Sequence, residues 1–342
     1  MRFSLPDIQR PDRIIEPELQ RRLNNLTKPP GSLGRLETVV KEYGVMRGAA
    51  DLAIHKKAIF TFAADHGVST AGVSAYPREV TAQMVYNFLA GGAAINVLCR
   101  HYGIGNVVVD VGVDHEFENP PGLVSRKVAR GTRNFLEEPA MTVEQAEQAL
   151  QAGMDLAHDY DLIGTGEMGI GNTTPSSAIA AVFTGLPPEE VVGRGTGVDD
   201  EGLRRKAGVI RRAMERHRPD PNDAMDVLTK VGGLEIAAIA GLIIGAASRR
   251  IPIVVDGFIS GAAALIAARL RPACRDYLFM SHLSRERGHR AVMELLRAQP
   301  LLDLDLCLGE GTGAAIAMDL IAASIRIYNE MATFESASVS RN

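Results

Sequence analysis

One carboxylate stands between two glycines near the end of the chain, in the segment 306–315 (LCLGEGTGAA). Glu310 follows an apolar run and precedes a helical pattern, so we expect it at the mouth of a strand, where open α/β sheets bind ligands. Its neighbours Gly309 and Gly311 permit a tight turn and a close approach of a ligand to the backbone. This arrangement suits a general base. The alternative is a strand-to-helix turn that carries a solvated glutamate.

Four further glycine-rich segments follow candidate strands or precede candidate helices: residues 65–77, 164–174, 193–197 and 256–261. Several such loops indicate a ligand that carries phosphate, because backbone N–H groups and helix amino ends bind anions. The second segment nearly matches a P-loop, but Asn172 replaces the lysine of that motif. The sequence therefore disfavours triphosphate hydrolysis. It also lacks a clear GxGxxG motif with a downstream ribose-binding acid, which disfavours a dinucleotide fold.

The acidic run at residues 199–201 has two interpretations. Asp199 and Asp200 invite a metal or pyrophosphate site, but they follow a glycine loop and begin a helical pattern, where acids are stabilised by the helix dipole. We favour the role at the helix start. Lys206, further along the same helical pattern, is either an anion ligand or a solvated lysine.

The histidines give no metal site from sequence. Asp65 and His66 are either an acid–base pair or a structural aspartate beside a loop histidine, since adjacent residues of an extended segment point to opposite sides. His282 and His289 lack the i, i+4 spacing of a helical metal pair. We expect no metal and no cofactor.

Apolar runs that alternate with helical patterns must position these residues, and they predict parallel strands joined by right-handed crossovers. The candidate strands are 58–63, 107–111, 162–164, 251–255, 277–280 and 302–308. Helical patterns without strands of their own stand at both ends of the chain. We therefore predict a six-stranded, mostly parallel sheet in a Rossmann-like three-layer α/β/α domain over residues 48–312. Residues 1–47 and 313–342 are predicted to form a small helical subdomain.

Composition excludes several classes of protein. The 342 residues carry a net charge of -4 with no obvious basic patch, which argues against nucleic acid as a partner. The three cysteines are far apart and predict neither disulfides nor a zinc site. The first residues lack the apolar core of a signal peptide. The longest apolar helix candidate, 234–247, is shorter than the roughly 20 residues of a membrane span. We expect a cytoplasmic protein that binds no membrane.

Seven motifs in order resemble the nicotinate-nucleotide:5,6-dimethylbenzimidazole phosphoribosyltransferase family of cobalamin lower-ligand synthesis. They are 28–34 (KPPGSLG), 64–68 (ADHGV), 166–174 (GEMGIGNTT), 193–197 (GRGTG), 255–258 (VDGF), 281–282 (SH) and 309–313 (GEGTG). Each motif alone is weakly specific, but the ordered set covers nearly the whole chain.

The resemblance implies a homodimer that transfers the phosphoribosyl group of nicotinate mononucleotide to 5,6-dimethylbenzimidazole. By similarity Glu310 is the catalytic base. From the chemistry of the reaction we expect Glu167 to be a second catalytic carboxylate, which stabilises the positive charge that develops on the sugar carbon. The candidate walls for the benzimidazole are Ser74, Tyr76, Gln83, Met168 and Leu308. The candidate phosphate and ribose residues are Gly169, Gly171, Asn172, Gly195, Thr196, Gly197, Lys206 and Asp256.

The chemistry of this reaction agrees with the residues. The pyridinium leaving group departs as a neutral ring and needs neither an acid nor a metal, whereas the benzimidazole must lose a proton to a base. Two other functions stay open from the residues alone. One is a non-catalytic nucleotide-binding α/β module, and the other is a metal-dependent phosphotransferase that uses Asp199 and Asp200.

Overall fold

Apolar runs rich in β-branched and aromatic residues form parallel strands, which pair side by side in one sheet. The structure is a computed structural model and describes residues 3–195 and 197–340. The strands are β1 (Lys57–Ala64), β2 (Gly105–Gly112), β3 (Leu123–Ser125), β4 (Leu162–Met168), β5 (Ile253–Val255), β6 (Leu278–His282) and β7 (Pro300–Leu302). Their order across the sheet is β3-β2-β1-β4-β5-β6-β7, and each neighbouring pair is parallel.

Helices cover both faces of this sheet, which gives the predicted three layers. The helices are α1 (Glu16–Asn25), α2 (Arg35–Arg47), α3 (Val80–Ala90), α4 (Ala94–Tyr102), α5 (Val143–Leu156), α6 (Thr173–Thr184), α7 (Pro188–Val191), α8 (Asp200–His217), α9 (Ala224–Val231), α10 (Leu234–Ser248), α11 (Phe258–Leu270), α12 (Arg287–Leu296) and α13 (Thr312–Glu330). Helix α10 packs on β1, β2 and β4, and it is itself covered by α5 and α11. Helix α13 packs on β4, β5 and β6, next to α2 and α4.

The sheet has seven strands where the sequence predicts six; the additional strand is the edge strand β3, and the other edge strand, β7, lies earlier in the chain than predicted. Strand β3 has only three residues and is partly exposed, so it leaves no apolar run to recognise. Strand β7 covers Pro300–Leu302 rather than 302–308. The alternation of leucine and aspartate over 302–306 resembles a strand, but past the end of β7 the chain forms a loop that leaves Leu304 and Leu308 exposed.

The terminal helices bury their apolar faces within the chain. Leu19 and Leu23 of α1 are buried and belong to the same core as the sheet, and so do Met318 and Ile321 of α13. Helix α2 contacts both α1 and α13. These contacts join the two ends of the chain, but α13 also covers the sheet. The division into a domain over 48–312 and a terminal helical subdomain stays a prediction.

One stretch, Val80–Tyr102, is long and apolar enough to cross a membrane by length and composition alone. This stretch is longer than 234–247, which the sequence pattern indicates as the longest apolar helix candidate. The chain breaks at Gly91–Ala93 into α3 and α4, and each helix is shorter than the roughly 20 residues that a span requires. Ile95 and Cys99 of α4 are buried in the core.

The strand order indicates which edge of the sheet binds a ligand. Parallel strands direct their carboxyl ends to the same edge. The chain runs outward from β1 through β2 to β3 and then crosses to β4 on the other side of β1, so the direction of strand order reverses between β1 and β4. Open α/β sheets bind ligands at such a switch point, outside the carboxyl ends of the strands. The motifs that follow β1, β4, β5 and β6 all reach this edge.

Candidate active site

A cavity of about 640 Å³ opens at the carboxyl ends of β4, β5 and β6. Its walls come from the segments that follow β1, β4, β5 and β6, together with the turn before α13. The predicted site residues that line it are Tyr76, Glu167, Met168, Gly169, Asn172, Gly195, Gly197, Leu308 and Glu310. The structure therefore brings both predicted catalytic carboxylates into one cavity with part of the predicted phosphate loops.

Other predicted residues lie away from the walls. Ser74 accepts a hydrogen bond from the backbone of Tyr76 and supports the turn before α3. Gln83 is exposed on α3, and the wall is formed instead by Val80 and Met84. Gly171 adopts a left-handed backbone beside Ser69 rather than reaching the cavity. Thr196 lies outside the described residues.

Three consecutive residues with positive φ form the turn that carries Glu310. The φ values are +85° at Gly309, +63° at Glu310 and +95° at Gly311. A left-handed backbone costs a non-glycine residue about 1–2 kcal/mol, and such strain is concentrated at functional sites. A side chain at Gly166 of β4 would collide with the carbonyl of Glu310, so this glycine lets the turn lie directly on the strand.

The Glu310 carboxylate is 7% exposed, and its Oε2 has no hydrogen-bond partner among the described residues. Burial raises its pKa above the usual range, and a hydrogen bond from the backbone N–H of Ile95 lowers it in part. That amide belongs to the first turn of α4, and helix amino ends favour an ionised carboxylate. A desolvated carboxylate with one free oxygen is well suited to accept a proton.

Glu167 lies on β4 against the Glu310 turn. A side chain at Gly309 would collide with its Oε1, so the two carboxyl-bearing segments are in close contact. Its Oε2 accepts a short hydrogen bond from the amide of Asn172. Burial has the largest effect on the pKa of Glu167, and together with the carboxylates of Asp256, Glu235 and Glu310 it raises this pKa to about 8, against the lowering effect of the Asn172 amide. At neutral pH this carboxyl group keeps its proton.

The sequence predicts that Asp256 binds the phosphate or the ribose, but the structure gives this residue a different role. Its Oδ1 accepts the backbone N–H of Ala314 at 2.9 Å, and its Oδ2 accepts that of Gly311 at 3.2 Å. The residue is 1% exposed and does not line the cavity, whereas its neighbour Gly257 does. Asp256 therefore caps α13 and fixes the turn that presents Glu310.

Thr173, Gly195 and Gly197 form one end of the cavity, which we call the anion end because glycine N–H groups and a helix amino end suit an anion. Lys206 is completely buried behind it, and its Nζ donates to the Thr173 hydroxyl at 2.7 Å and to the Gly193 carbonyl at 3.1 Å. Burial lowers the pKa of Lys206 to about 8, which keeps a positive charge available at neutral pH. The lysine does not line the cavity and lies one layer behind the glycine loop.

Apolar side chains form a further part of the cavity wall, and sequence reasoning missed most of them. Val80 and Met84, one helical turn apart on α3, line the cavity, and so do Phe258 and Ile259 of α11 and Ile170. Tyr76 and Leu308 are 55% and 58% exposed among the lining residues. The spacing of Val80 and Met84 after Tyr76 was the only available signal. Such a wall suits a flat apolar ring.

Two buried histidines follow β6. Nδ1 of His282 lies 2.9 Å from the Ser281 hydroxyl, and Nδ1 of His289 accepts the backbone N–H of Ser284 at 2.8 Å. Burial lowers the pKa of His282 to about 4 and that of His289 to about 3. Both rings are therefore neutral near pH 7. Of the two, only His282 lines the cavity.

The remaining candidates, two aspartates and a histidine, have structural contacts. Asp199 caps α8 by accepting the N–H of Gly202 at 2.8 Å, and Asp200 forms a short ion pair with Arg194 at the surface. His66 contacts Glu235 at 2.8 Å in the buried interior. Over residues 3–195 and 197–340, no group of three or more His, Cys, Asp or Glu side chains is arranged to hold a metal ion.

Comparisons of the sequence and of the structure with known proteins agree on one family. A family model described as a phosphoribosyltransferase matches residues 8–339. The nicotinate-nucleotide–dimethylbenzimidazole phosphoribosyltransferase of Geobacter sulfurreducens is 58% identical over 333 residues, which covers 96% of this chain and 95% of the relative. The enzyme of the same name from Chlorobaculum tepidum is 54% identical over 98% of this chain and 97% of its own length. The crystal structure of CobT from Thermus thermophilus is 49% identical, with a TM-score of 0.91, and covers 96% of this chain and 99% of that one.

Proposed function

The chain belongs to the nicotinate-nucleotide–dimethylbenzimidazole phosphoribosyltransferase family, and from this membership we infer the reaction that its cavity performs. The enzyme transfers the phosphoribosyl group of nicotinate mononucleotide to 5,6-dimethylbenzimidazole. The products are α-ribazole 5′-phosphate and nicotinate. The observation that carries this proposal is the pair of buried carboxyl groups, Glu167 and Glu310, in one cavity that is also lined by apolar side chains and by the glycine loop of the anion end.

The reaction requires one proton acceptor. One benzimidazole nitrogen attacks the anomeric carbon, the bond from that carbon to nicotinate breaks, and its electron pair neutralises the pyridinium nitrogen. The second benzimidazole nitrogen then gives up its proton. We assign Glu310 as the proton acceptor. A positioned base of this kind contributes typically 10²–10⁴-fold to the rate.

The two carboxyl groups differ in their suitability as the base. Glu167 keeps its proton near neutral pH, since its pKa is raised to about 8 by burial and by three other carboxylates. Glu310 has a backbone N–H of α4 as a partner, which favours its ionised form. We propose that Glu310 is the base and that the protonated Glu167 donates a hydrogen bond to the bound substrates. This proposal replaces the earlier expectation that an ionised Glu167 stabilises the charge on the sugar carbon.

The phosphate of nicotinate mononucleotide fits the anion end of the cavity. The amino end of α6 begins at Thr173, and Gly195 and Gly197 present backbone to the cavity. The buried ammonium of Lys206 contacts both segments through Thr173 and Gly193. Helix amino ends and a fixed positive charge bind a phosphate dianion. We propose that Lys206 attracts the phosphate through these segments.

The direct test combines the protein with nicotinate mononucleotide and dimethylbenzimidazole in buffer that contains EDTA. We expect α-ribazole 5′-phosphate and nicotinate in equal amounts, identified by chromatography and mass spectrometry. A non-catalytic nucleotide-binding module would bind the nucleotide without forming product. A phosphotransferase would require Mg²⁺, and its activity would depend on Asp199 and Asp200.

A homodimer and a cytoplasmic location also stay proposals. The core-facing residues Leu19 and Leu23 of α1 and Met318 and Ile321 of α13 are buried within the chain, so these residues are not available to a partner. Tyr86 of α3 and Val97 of α4 are instead 45% and 52% exposed, which supports a dimer contact through this helix pair. Analytical ultracentrifugation tests it. A fully active species with the mass of one chain would exclude the dimer.

A further inference from the structure

The glycine loop at the anion end already holds an anion, and that anion is part of the protein. Oε1 of Glu286 accepts the backbone N–H of Gly195 at 2.9 Å, and Glu286 lines the cavity at the amino end of α12. A side chain at Gly193 would collide with Oε2 of Glu286. The loop over 193–195 is therefore shaped around this carboxylate.

The groups around this position favour negative charge. The Lys206 ammonium donates to the Gly193 carbonyl on the same loop, and it also contacts Thr173, the first residue of α6. The charge of Glu286 raises the pKa of Lys206, in opposition to the larger effect of burial. The Gly195 N–H binds the carboxylate, and the buried ammonium and the amino end of α6 adjoin the same loop. These three groups together would bind a phosphate.

Glu286 uses only half of its hydrogen-bonding capacity there. Its Oε2 is buried and has no hydrogen-bond partner among the described residues. A buried ionised oxygen without a partner costs free energy, so this carboxylate is less well satisfied in its place than a ligand whose oxygens all find donors. A phosphate monoester brings a greater charge and three strong acceptor oxygens to the same donors.

We propose that Glu286 is an internal occupant of the phosphate subsite, which the phosphate of the substrate must displace in order to bind. The inference rests on the proposed function, because it takes the displacing anion to be the phosphate of a phosphoribosyl donor. It assigns Glu286 a role in setting the affinity for that donor. Glu286 competes with the phosphate and does not act as one of its ligands.

Titration of the protein with inorganic phosphate in a calorimeter tests the proposal without any reaction. Glu286→Gln removes the charge and keeps the length of the side chain, and we expect phosphate to bind about tenfold more tightly, because a like charge no longer opposes it at the same donors. Glu294→Gln, an exposed glutamate on the same helix, is the matched control and should leave phosphate affinity unchanged. Unchanged or weaker binding in Glu286→Gln would overturn the proposal.

A second variant and a second ligand keep the test decisive. Glu286→Ala should also tighten phosphate binding, and circular dichroism establishes that each variant folds. If Glu286 instead held a ribose hydroxyl, Glu286→Gln would weaken nicotinate mononucleotide and leave inorganic phosphate unaffected, and the proposal would be wrong. Product formation is read separately. If the enzyme forms α-ribazole phosphate but the Glu286 variants bind phosphate as the wild type does, only this inference is rejected. If the Glu286 variants bind phosphate more tightly but no product forms, only the proposed reaction is rejected.

Discussion

Both carboxyl-bearing residues of the cavity are nearly inaccessible to solvent, but Glu167 lies deeper in the protein than Glu310, and different groups surround the two. Glu167, on β4, faces the charges of Asp256, Glu235 and Glu310, and only the Asn172 amide favours its ionised form. Glu310, on the turn before α13, meets the backbone N–H of Ile95 at the amino end of α4. The pKa of Glu167 rises to about 8, whereas that of Glu310 is raised by burial and partly lowered again by this hydrogen bond.

This difference teaches that burial alone does not choose the base. Burial disfavours the ionised form of every carboxyl group, and the neighbours decide which group gives up its proton first. When two carboxyl groups are adjacent, ionisation of one opposes ionisation of the other. A helix amino end beside Glu310 and a cluster of carboxylates around Glu167 therefore separate a base from a hydrogen-bond donor within one cavity.

The largest expected effect is the loss of the base. Glu310→Gln keeps the shape of the side chain but cannot accept a proton, so we expect kcat to fall ~10²-fold or more. Steady-state kinetics measure it, with circular dichroism to verify the fold and Glu294→Gln as the control for loss of one charge. Activity within about threefold of the wild type would exclude Glu310 as the base.

A smaller effect is expected at the anion end. Lys206→Met retains the apolar length of the side chain and removes the ammonium, which should weaken nicotinate mononucleotide by about 1.5–3 kcal/mol, the usual cost of a charged hydrogen-bond partner. The Michaelis constant for dimethylbenzimidazole should change little, because that substrate carries no phosphate. Equal changes in both constants would mean that Lys206 supports the fold and not the phosphate.

The pH dependence of stability follows from the protons that the fold retains. Glu167 has its pKa raised from 4.5 to about 8, so the stabilisation from its retained proton is complete below 4.5 and is lost as the pH rises towards 8. Asp256, raised to about 7, acts in the same direction. We expect the free energy of unfolding to fall over this range, and Glu167→Gln should reduce the slope. A slope that is identical in the wild type and the variant would contradict the pKa of Glu167.

The smallest effect compares two glycines with left-handed backbones. Gly309 has a φ of +85° and lies against the Glu167 carboxylate, whereas Gly103 has a φ of +62° and open space around it. Alanine at either position should cost about 1–2 kcal/mol from the backbone conformation. Gly309→Ala should cost more, because its side chain also collides with Glu167. Equal losses in urea unfolding would show that the two segments are not in close contact.

The sequence alone predicts the layered α/β fold and the motifs at the cavity, since β-branched runs and glycine turns are local signals. It misplaces β7 and misses β3, because short edge strands bury too little surface to leave a pattern. It identifies Asp256 by motif but not its role, since capping α13 depends on where β5 ends relative to a turn more than fifty residues away.

The amino end of α12 shows the same limit. Glu286 contacts Gly195 only because the folded chain brings the loop before α8 next to the segment after β6. No spacing in the sequence relates the two. Val80 and Met84 likewise become recognisable as wall residues only when α3 is seen to cross the carboxyl end of the sheet.

The protonation states of the two carboxyl groups test the account most directly. Infrared difference spectra at pH 7, recorded between the wild type and each glutamine variant, distinguish a protonated carboxyl group from a carboxylate. We expect Glu167→Gln to remove the signal of a protonated carboxyl group and Glu310→Gln to remove that of a carboxylate. A protonated Glu310 beside an ionised Glu167 would contradict the assignment of Glu310 as the base.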